Sequence, residues 1–241
     1  MPEVHVACAR CADFADGDVE LLAATLDDGE REALQRLRIG ADRRAFVVAH
    51  ALLRGLTANE IAVPAAALTL RHDAKGRPYF AQAPQLHVSV SRSREAVAVA
   101  VTQISAIGID IESVAGKPAD ADVLDAFVVT HEPVTTREFF FQWTALEAFW
   151  KACGTGLADD QPRICCVRQG AGRFDVHLEN SKRVCAGRGA VVHAFDDCAL
   201  AVVLRAPADP GFVLKRTDCG SPEAIEQLGR VRWAQEIFDA A

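Results

Sequence analysis

Apolar residues recur with two periods along this chain. Over residues 41–56, Phe46, Ala49, Leu53 and Leu56 fall on one face at helical spacing, with Asp42 placed to cap the first turn. Shorter helices are predicted over 20–26 and 28–37, with Asp27-Asp28-Gly29 between them as a stop or the next cap. Others are predicted over 122–129 and, at greater length, over 136–152, where Gly154-Thr155-Gly156 ends the run. Alternation with a period of two marks 86–91 as a half-buried strand, and small or β-branched runs mark 96–101 and 107–111. Strands are also predicted over 164–168, 173–178, 184–186, 190–195 and 199–204. Asp73-Ala74-Lys75-Gly76-Arg77-Pro78 is a turn.

The two halves of this pattern echo each other. Residues 88–101 read as a strand, a polar turn and an Ala/Val strand, and residues 191–204 read the same way 103 positions later. Helices and antiparallel hairpins coexist without βαβ alternation, which predicts an α+β protein of two similar halves. The expected division is 1–106, 107–207 and a peripheral tail, 208–241, with a short amphipathic helix near 222–238.

Composition narrows the class. Hydrophobic residues make up 50% and charged residues 24% of 241, as in ordinary globular chains. No apolar run reaches the roughly 20 residues of a membrane helix, and Met1-Pro2-Glu3-Val4-His5 does not read as a secretory signal, so a cytoplasmic location and no membrane partner are expected. In that setting the eight cysteines should stay reduced, and the CxxC pair Cys8 and Cys11 lacks the further ligands of a zinc site. Net charge is −7, yet residues 31–94 hold eleven Lys or Arg against four Asp or Glu, a local +7 that leaves −14 elsewhere. A basic segment in an acidic chain favours a phosphate-bearing ligand over nucleic acid.

Four short constellations carry candidate chemistry. In Gly108-Ile109-Asp110-Ile111-Glu112, strand alternation puts Asp110 and Glu112 on one face and the isoleucines on the other. Two adjacent carboxylates repel unless a cation lies between them, and Mg²⁺ takes such hard oxygens together with substrate phosphates. In Trp143-Thr144-Ala145-Leu146-Glu147-Ala148-Phe149-Trp150-Lys151, Glu147 and Lys151 share a helix face among many aromatics, where a metal-bound phosphate would satisfy both. Ser89-Val90-Ser91-Arg92-Ser93 ends a strand in hydroxyls and a fixed cation, and Gly76-Arg77-Pro78 presents another cation. Each alone has an ordinary reading, as a polar strand face, a surface ion pair or a turn.

In order and spacing the set resembles the Sfp-type 4′-phosphopantetheinyl transferases, whose pattern is a GKP-like turn, an SHS-like strand end, a GIDIE-like strand and WxxKExxxK followed by GxG. The counterparts are Gly76-Arg77-Pro78, Ser91-Arg92-Ser93, Gly108 to Glu112, and Trp143 to Lys151 with Gly154-Thr155-Gly156; the helix from Arg43 to Arg54 matches the family's basic-flanked helix. Two positions depart: Arg92 stands where histidine is usual, and Leu146 where a lysine precedes the helix glutamate. The resemblance implies a pseudo-twofold monomer with coenzyme A in the cleft between its halves, and a carrier protein whose serine receives the phosphopantetheine. It implies Mg²⁺ on Asp110, Glu112 and Glu147, and Lys151 stabilising phosphate charge. It further implies Glu132 as an added ligand or general base, and Arg44, Arg77 and Arg92, with Ser91, at the phosphates. Two other readings use the same residues: a Mg²⁺-dependent nucleotide phosphohydrolase, and a non-catalytic relative that only binds coenzyme A or a carrier.

Overall fold

The computed structural model describes residues 2–115, 120–129, 135–158, 160–170, 172–179, 185–205 and 212–228. Small side chains decide how its sheets meet. Strand β1 (Glu3–Arg10) is buried on both faces, so it shows no alternation, and the periodicity of the chain passes over it. Helices α1 (Asp16–Ala23), α2 (Asp28–Arg36) and α3 (Gly40–Ile61) follow, then a hairpin of β2 (Leu70–His72) and β3 (Pro78–Phe80), then β4 (His87–Arg92) and β5 (Ala96–Thr102). The second half runs β6 (Ile107–Ser113), α4 (Ala121–Phe127), α5 (Thr136–Cys153), β7 (Ile164–Gly170), β8 (Arg173–Leu178), β9 (Cys185–Ala194) and β10 (Cys198–Leu204). Strand β11 (Val213–Asp218) and helix α6 (Pro222–Gln227) end the described chain.

Besides the two-stranded β2-β3, the described residues form two larger sheets, in the orders β11-β1-β5-β4 and β6-β10-β9-β8-β7. Alternation on β5 sends Ala96, Ala98 and Ala100 into a core shared with Ile107, Ile109 and Ile111 of β6, while Val97, Val99 and Val101 pack beneath α3. Helix α5 covers the outer face of the second sheet with Phe140, Leu146 and Phe149. The layers are therefore helix, sheet, sheet, helix. In each half a first strand pairs antiparallel with the last, and the last pairs antiparallel with the one before it: β1–β5–β4 in one, β6–β10–β9 in the other. The chain is α+β with two similar halves.

Two expectations change, and a third is only partly covered. Helix α3 begins at Gly40 with Ile39 at its N-cap, and Asp42 in its first turn pairs with Arg94 instead of capping. The segment after 207 is not a peripheral tail: β11 runs parallel to β1 at the sheet edge, and Ile225 and Leu228 join the core beneath α3. The predicted helix is described only as far as Gln227, and the rest of 222–238 lies outside the described residues beyond Leu228.

Gly108 sets the distance between α5 and β6. A Cβ there would lie 1.8 Å from the Ala148 carbonyl oxygen and 2.7 Å from the Ala152 nitrogen, both rigid helix backbone. Gly108→Ala should therefore cost about 3 kcal/mol or more, by overpacking that no side-chain rotation relieves. Gly17→Ala, with nothing within 4 Å of the added carbon, should be neutral or gain up to about 1 kcal/mol in helix α1. Urea denaturation of both variants measures the difference.

Candidate active-site cleft

The halves meet along a seam between β4 and β6 that is closed by side chains. Ser89 Oγ accepts the Ile109 N–H at 3.1 Å and Ser91 Oγ accepts the Ile111 N–H at 3.3 Å, so two hydroxyls stand in for the carbonyls of a strand ladder. With Ile109 and Ile111 held toward the shared core, Asp110 and Glu112 are turned to the opposite face of β6, the side on which Gly108 meets α5.

Asp110 is 3% exposed and is the centre of the arrangement. Its Oδ1 accepts from Ser91 Oγ at 2.8 Å and from Lys151 Nζ at 2.6 Å, and Lys151 also donates to Ser91 Oγ at 3.2 Å and to the Ile109 carbonyl at 3.3 Å. Asp110 Oδ2 is buried with no hydrogen-bond partner. Glu147 lies one turn before Lys151; burial pushes its carboxyl above the usual range, the Asp110 and Glu112 carboxylates add to the rise, and Lys151 opposes it. Among the described residues no three His, Cys, Asp or Glu side chains stand assembled as a metal-binding group. The donors themselves fit a hard divalent cation: carboxylate oxygens, one of them orphaned, around a site short of positive charge.

Beside this centre lies a cavity of about 600 Å³ between the halves, in the range of small-molecule sites. Lys75, Arg77, Arg92 and Lys151 line it, an electrostatic setting for an anionic ligand. Arg77 is held by Asp73 at 2.7 Å and lies against Gly154, where a Cβ would come 2.6 Å from its Cδ; Gly154 also has φ +74°, so the two glycine turns close on each other. The Arg92 guanidinium stacks 4.9 Å over the Phe46 ring and has no salt bridge among the described residues.

Arg77, Ser91, Arg92, Asp110, Glu112, Glu147 and Lys151 are thus placed on the elements that form the seam and the cleft. Arg44 is a correction: it leaves the cleft, donating to the Phe14 carbonyl and pairing with Asp16 at 2.6 Å beside a separate surface cavity. Glu132 lies outside the described residues. Leu146 is fully buried under the second sheet, a packing residue. Cys8 and Cys11 point into different cores, and burial raises both thiols, Cys11 to about 11, so they form neither a metal pair nor a reactive one. All eight cysteines are free.

Sequence reasoning missed a buried polar group at the far wall of the cavity. Arg54 is fully buried and bonds Glu30 through Nε at 2.7 Å, while His50 Nδ1 donates to the other Glu30 oxygen at 2.8 Å. The signal was present: Asp27 and Glu30 form a capping box that starts α2, and His50 and Arg54 are one turn apart on α3.

Comparison with known proteins follows this geometry. A family model described as 4′-phosphopantetheinyl transferase, N-terminal, matches residues 15–104. The chain is similar to the 4′-phosphopantetheinyl transferase psf-1 of Bacillus pumilus, 29% identical over 149 residues covering 58% of this chain and 63% of that protein. It is also similar to the 4′-phosphopantetheinyl transferase of Bacillus subtilis, 26% identical over 178 residues, 70% and 78% of the two chains. An L-aminoadipate-semialdehyde dehydrogenase-phosphopantetheinyl transferase of Eremothecium gossypii is 30% identical over 162 residues, 60% and 57%. The match thus spans less than two thirds of the Bacillus pumilus and Eremothecium gossypii relatives. Among the described residues no helix is long and apolar enough to cross a membrane.

The raised carboxyl of Glu147 has a consequence for stability. The folded protein holds this proton more tightly than the unfolded chain, so the contribution is favourable at low pH and is lost as pH rises through the usual carboxylate range and above. Glu147→Gln, in EDTA, should raise the melting midpoint by about 2 °C at pH 7.5 and not at pH 4. Differential scanning calorimetry at the two pH values checks it; an equal change at both would place the effect in packing.

Proposed function

We propose that this chain, a relative of the 4′-phosphopantetheinyl transferases, moves the 4′-phosphopantetheine group of coenzyme A onto a serine of a carrier protein and releases adenosine 3′,5′-bisphosphate. The observation that carries the reading is the cavity of about 600 Å³ lined by Lys75, Arg77, Arg92 and Lys151, where Lys151 is bonded to the buried Asp110 carboxylate and Glu147 lies one turn before it on the same helix. Phosphates need the cations, and a divalent metal needs the carboxylates.

In this reading Arg77 and Arg92 bind phosphate oxygens, with Ser91 fixing the strand end from which Arg92 projects. Asp110, Glu112 and Glu147 would hold Mg²⁺, which would supply positive charge to the clustered carboxylates and the pyrophosphate oxygens. The serine hydroxyl attacks the β-phosphorus, the bond to the bridging oxygen breaks, and the adenosine bisphosphate leaves with that electron pair. Lys151, whose ammonium lines the cavity, stabilises negative charge gathering on those oxygens. Glu132 is the candidate acceptor of the serine proton. One chain supplies both walls of the cleft, which supports a monomer; the same reading takes it to work in the cytoplasm, without nucleic acid. Leu146, buried as a packing residue, leaves Glu147 and Lys151 in place, which favours catalysis over binding alone.

Incubation of candidate acyl and peptidyl carriers with coenzyme A, Mg²⁺ and the protein should add one phosphopantetheine mass to the carrier, read by intact mass spectrometry. Asp110→Asn should lower the rate by about 100-fold or more, by loss of a charge at the metal face. Cleavage of coenzyme A with no carrier present would show a phosphohydrolase instead; tight coenzyme A binding with no modification would show a binding protein.

Arg92→Ala should weaken coenzyme A by about 1.5–3 kcal/mol, the loss of one charge-assisted contact, and 3′-dephospho-coenzyme A by less. Arginine stays protonated across pH 6 to 8, so wild-type affinity should vary less over that range than in Arg92→His. Isothermal titration of both ligands decides it, and equal losses would move Arg92 away from the 3′-phosphate.

A further inference from the structure

The far wall of the cleft holds a polar side chain that the proposed chemistry does not use. His50 is 7% exposed, lines the cavity and stacks on Phe46, with ring centroids 3.9 Å apart. Its Nδ1 is committed to Glu30 at 2.8 Å, and Nε2 has no hydrogen-bond partner among the described residues. Glu30 in turn cannot drift, because Arg54 bonds it from behind, Asp27 boxes it at the helix start, and Arg54 is anchored to the Ala65 and Leu68 carbonyls at 2.8 and 2.9 Å. Glu30 on α2 with Phe46 and Arg54 on α3 thus fix the rotation of one imidazole that lines the cavity.

The carboxylate behind Nδ1 decides which nitrogen carries the proton. A neutral imidazole bonded to a carboxylate keeps its hydrogen on that side, so Nε2 presents a lone pair. The charged groups around His50 are Glu30 on α2, Arg54 on its own helix and Arg92 on β4; burial lowers its proton affinity most, both arginines add to that, and Glu30 opposes. The ring is therefore neutral near pH 7. A lone pair backed by a carboxylate repels a phosphate oxygen and attracts an N–H or O–H. The cavity accordingly divides into a cationic part along Lys75, Arg77, Arg92 and Lys151 and an acceptor at His50.

We propose that His50 is a specificity-determining residue for the nucleoside part of the coenzyme, accepting through Nε2 a hydrogen bond from its base amine or ribose hydroxyl. This rests on the coenzyme A reading above. The pantetheine arm also carries donors, but in that reading it departs with the carrier once the β-phosphorus has been attacked, whereas the nucleoside can stay against the cleft wall. His50→Asn is the informative substitution: the shorter amide keeps an N–H for Glu30 at the Nδ1 position and removes the acceptor at Nε2. His50→Gln places an amide oxygen near Nε2 and serves as the rescuing variant.

Isothermal titration of coenzyme A, 3′-dephospho-coenzyme A and 4′-phosphopantetheine into the wild type and both variants tests the proposal, with melting curves to verify folding. His50→Asn should weaken the first two ligands by roughly tenfold, the scale of one hydrogen bond, and leave the third unchanged, with His50→Gln intermediate. No loss, an equal loss for all three, or a loss confined to coenzyme A, which would make the partner its 3′-phosphate, overturns the proposal. Wild-type binding of coenzyme A without any carrier loading would overturn the transferase reading while a His50 effect on binding still stood. If the wild type binds none of the three, both fall. Should His50→Asn not fold, His50→Gln alone must still discriminate nucleoside from pantetheine ligands, and equal affinity changes there are equally decisive.

Discussion

Two serine hydroxyls tie the halves of the protein together at the edge of the cleft. Sheets normally end at an edge whose N–H groups must find water, a covering element or another strand. At the β4–β6 boundary the edge amides of Ile109 and Ile111 are met by Ser89 and Ser91, so the two sheets are joined through side chains. Ser91 serves three partners at once: it takes the Ile111 amide and the Lys151 ammonium and gives its proton to Asp110. The joint between the halves and the polar centre of the cleft are one hydrogen-bond network. A change that loosens the halves also disorders the carboxylate around which the site is built.

Packing on either side makes that joint possible. The alanines of β5 let the sheets approach, and the bare Gly108 lets α5 settle on β6 closely enough for Lys151 to reach Asp110. A buried carboxylate with one satisfied and one orphaned oxygen is costly unless a charge offsets it. Lys151 supplies that charge at Asp110 Oδ1.

Much of this was legible in the sequence where a local rule governs it. The alternation through Asp110 and Glu112, the i,i+4 pair Glu147 and Lys151, and the glycine turns each state their geometry within a few residues, and the long helices carry their own period. What was not legible depends on partners far along the chain. Strand β1, buried on both faces, has no polar side to alternate, and β11 is a strand only because β1 offers it an edge. The resemblance implies Arg44 at the phosphates, but a cation's role is set by its nearest carboxylate, here Asp16. The Glu30–His50–Arg54 group reads as scattered polar residues until two helices bring it into one wall.

The parallel pairing of β1 with β11 gives the protein an awkward birth. Residues 3–8 reach their outer neighbours only at 213–218, so all of the chain between them must leave the ribosome before the first sheet is complete. Until then the first strand presents a bare, apolar edge to every other nascent chain in reach. Its yield on synthesis should depend on how fast translation runs and on how well chaperones shield that edge, to a degree that a half folding as an independent unit would escape.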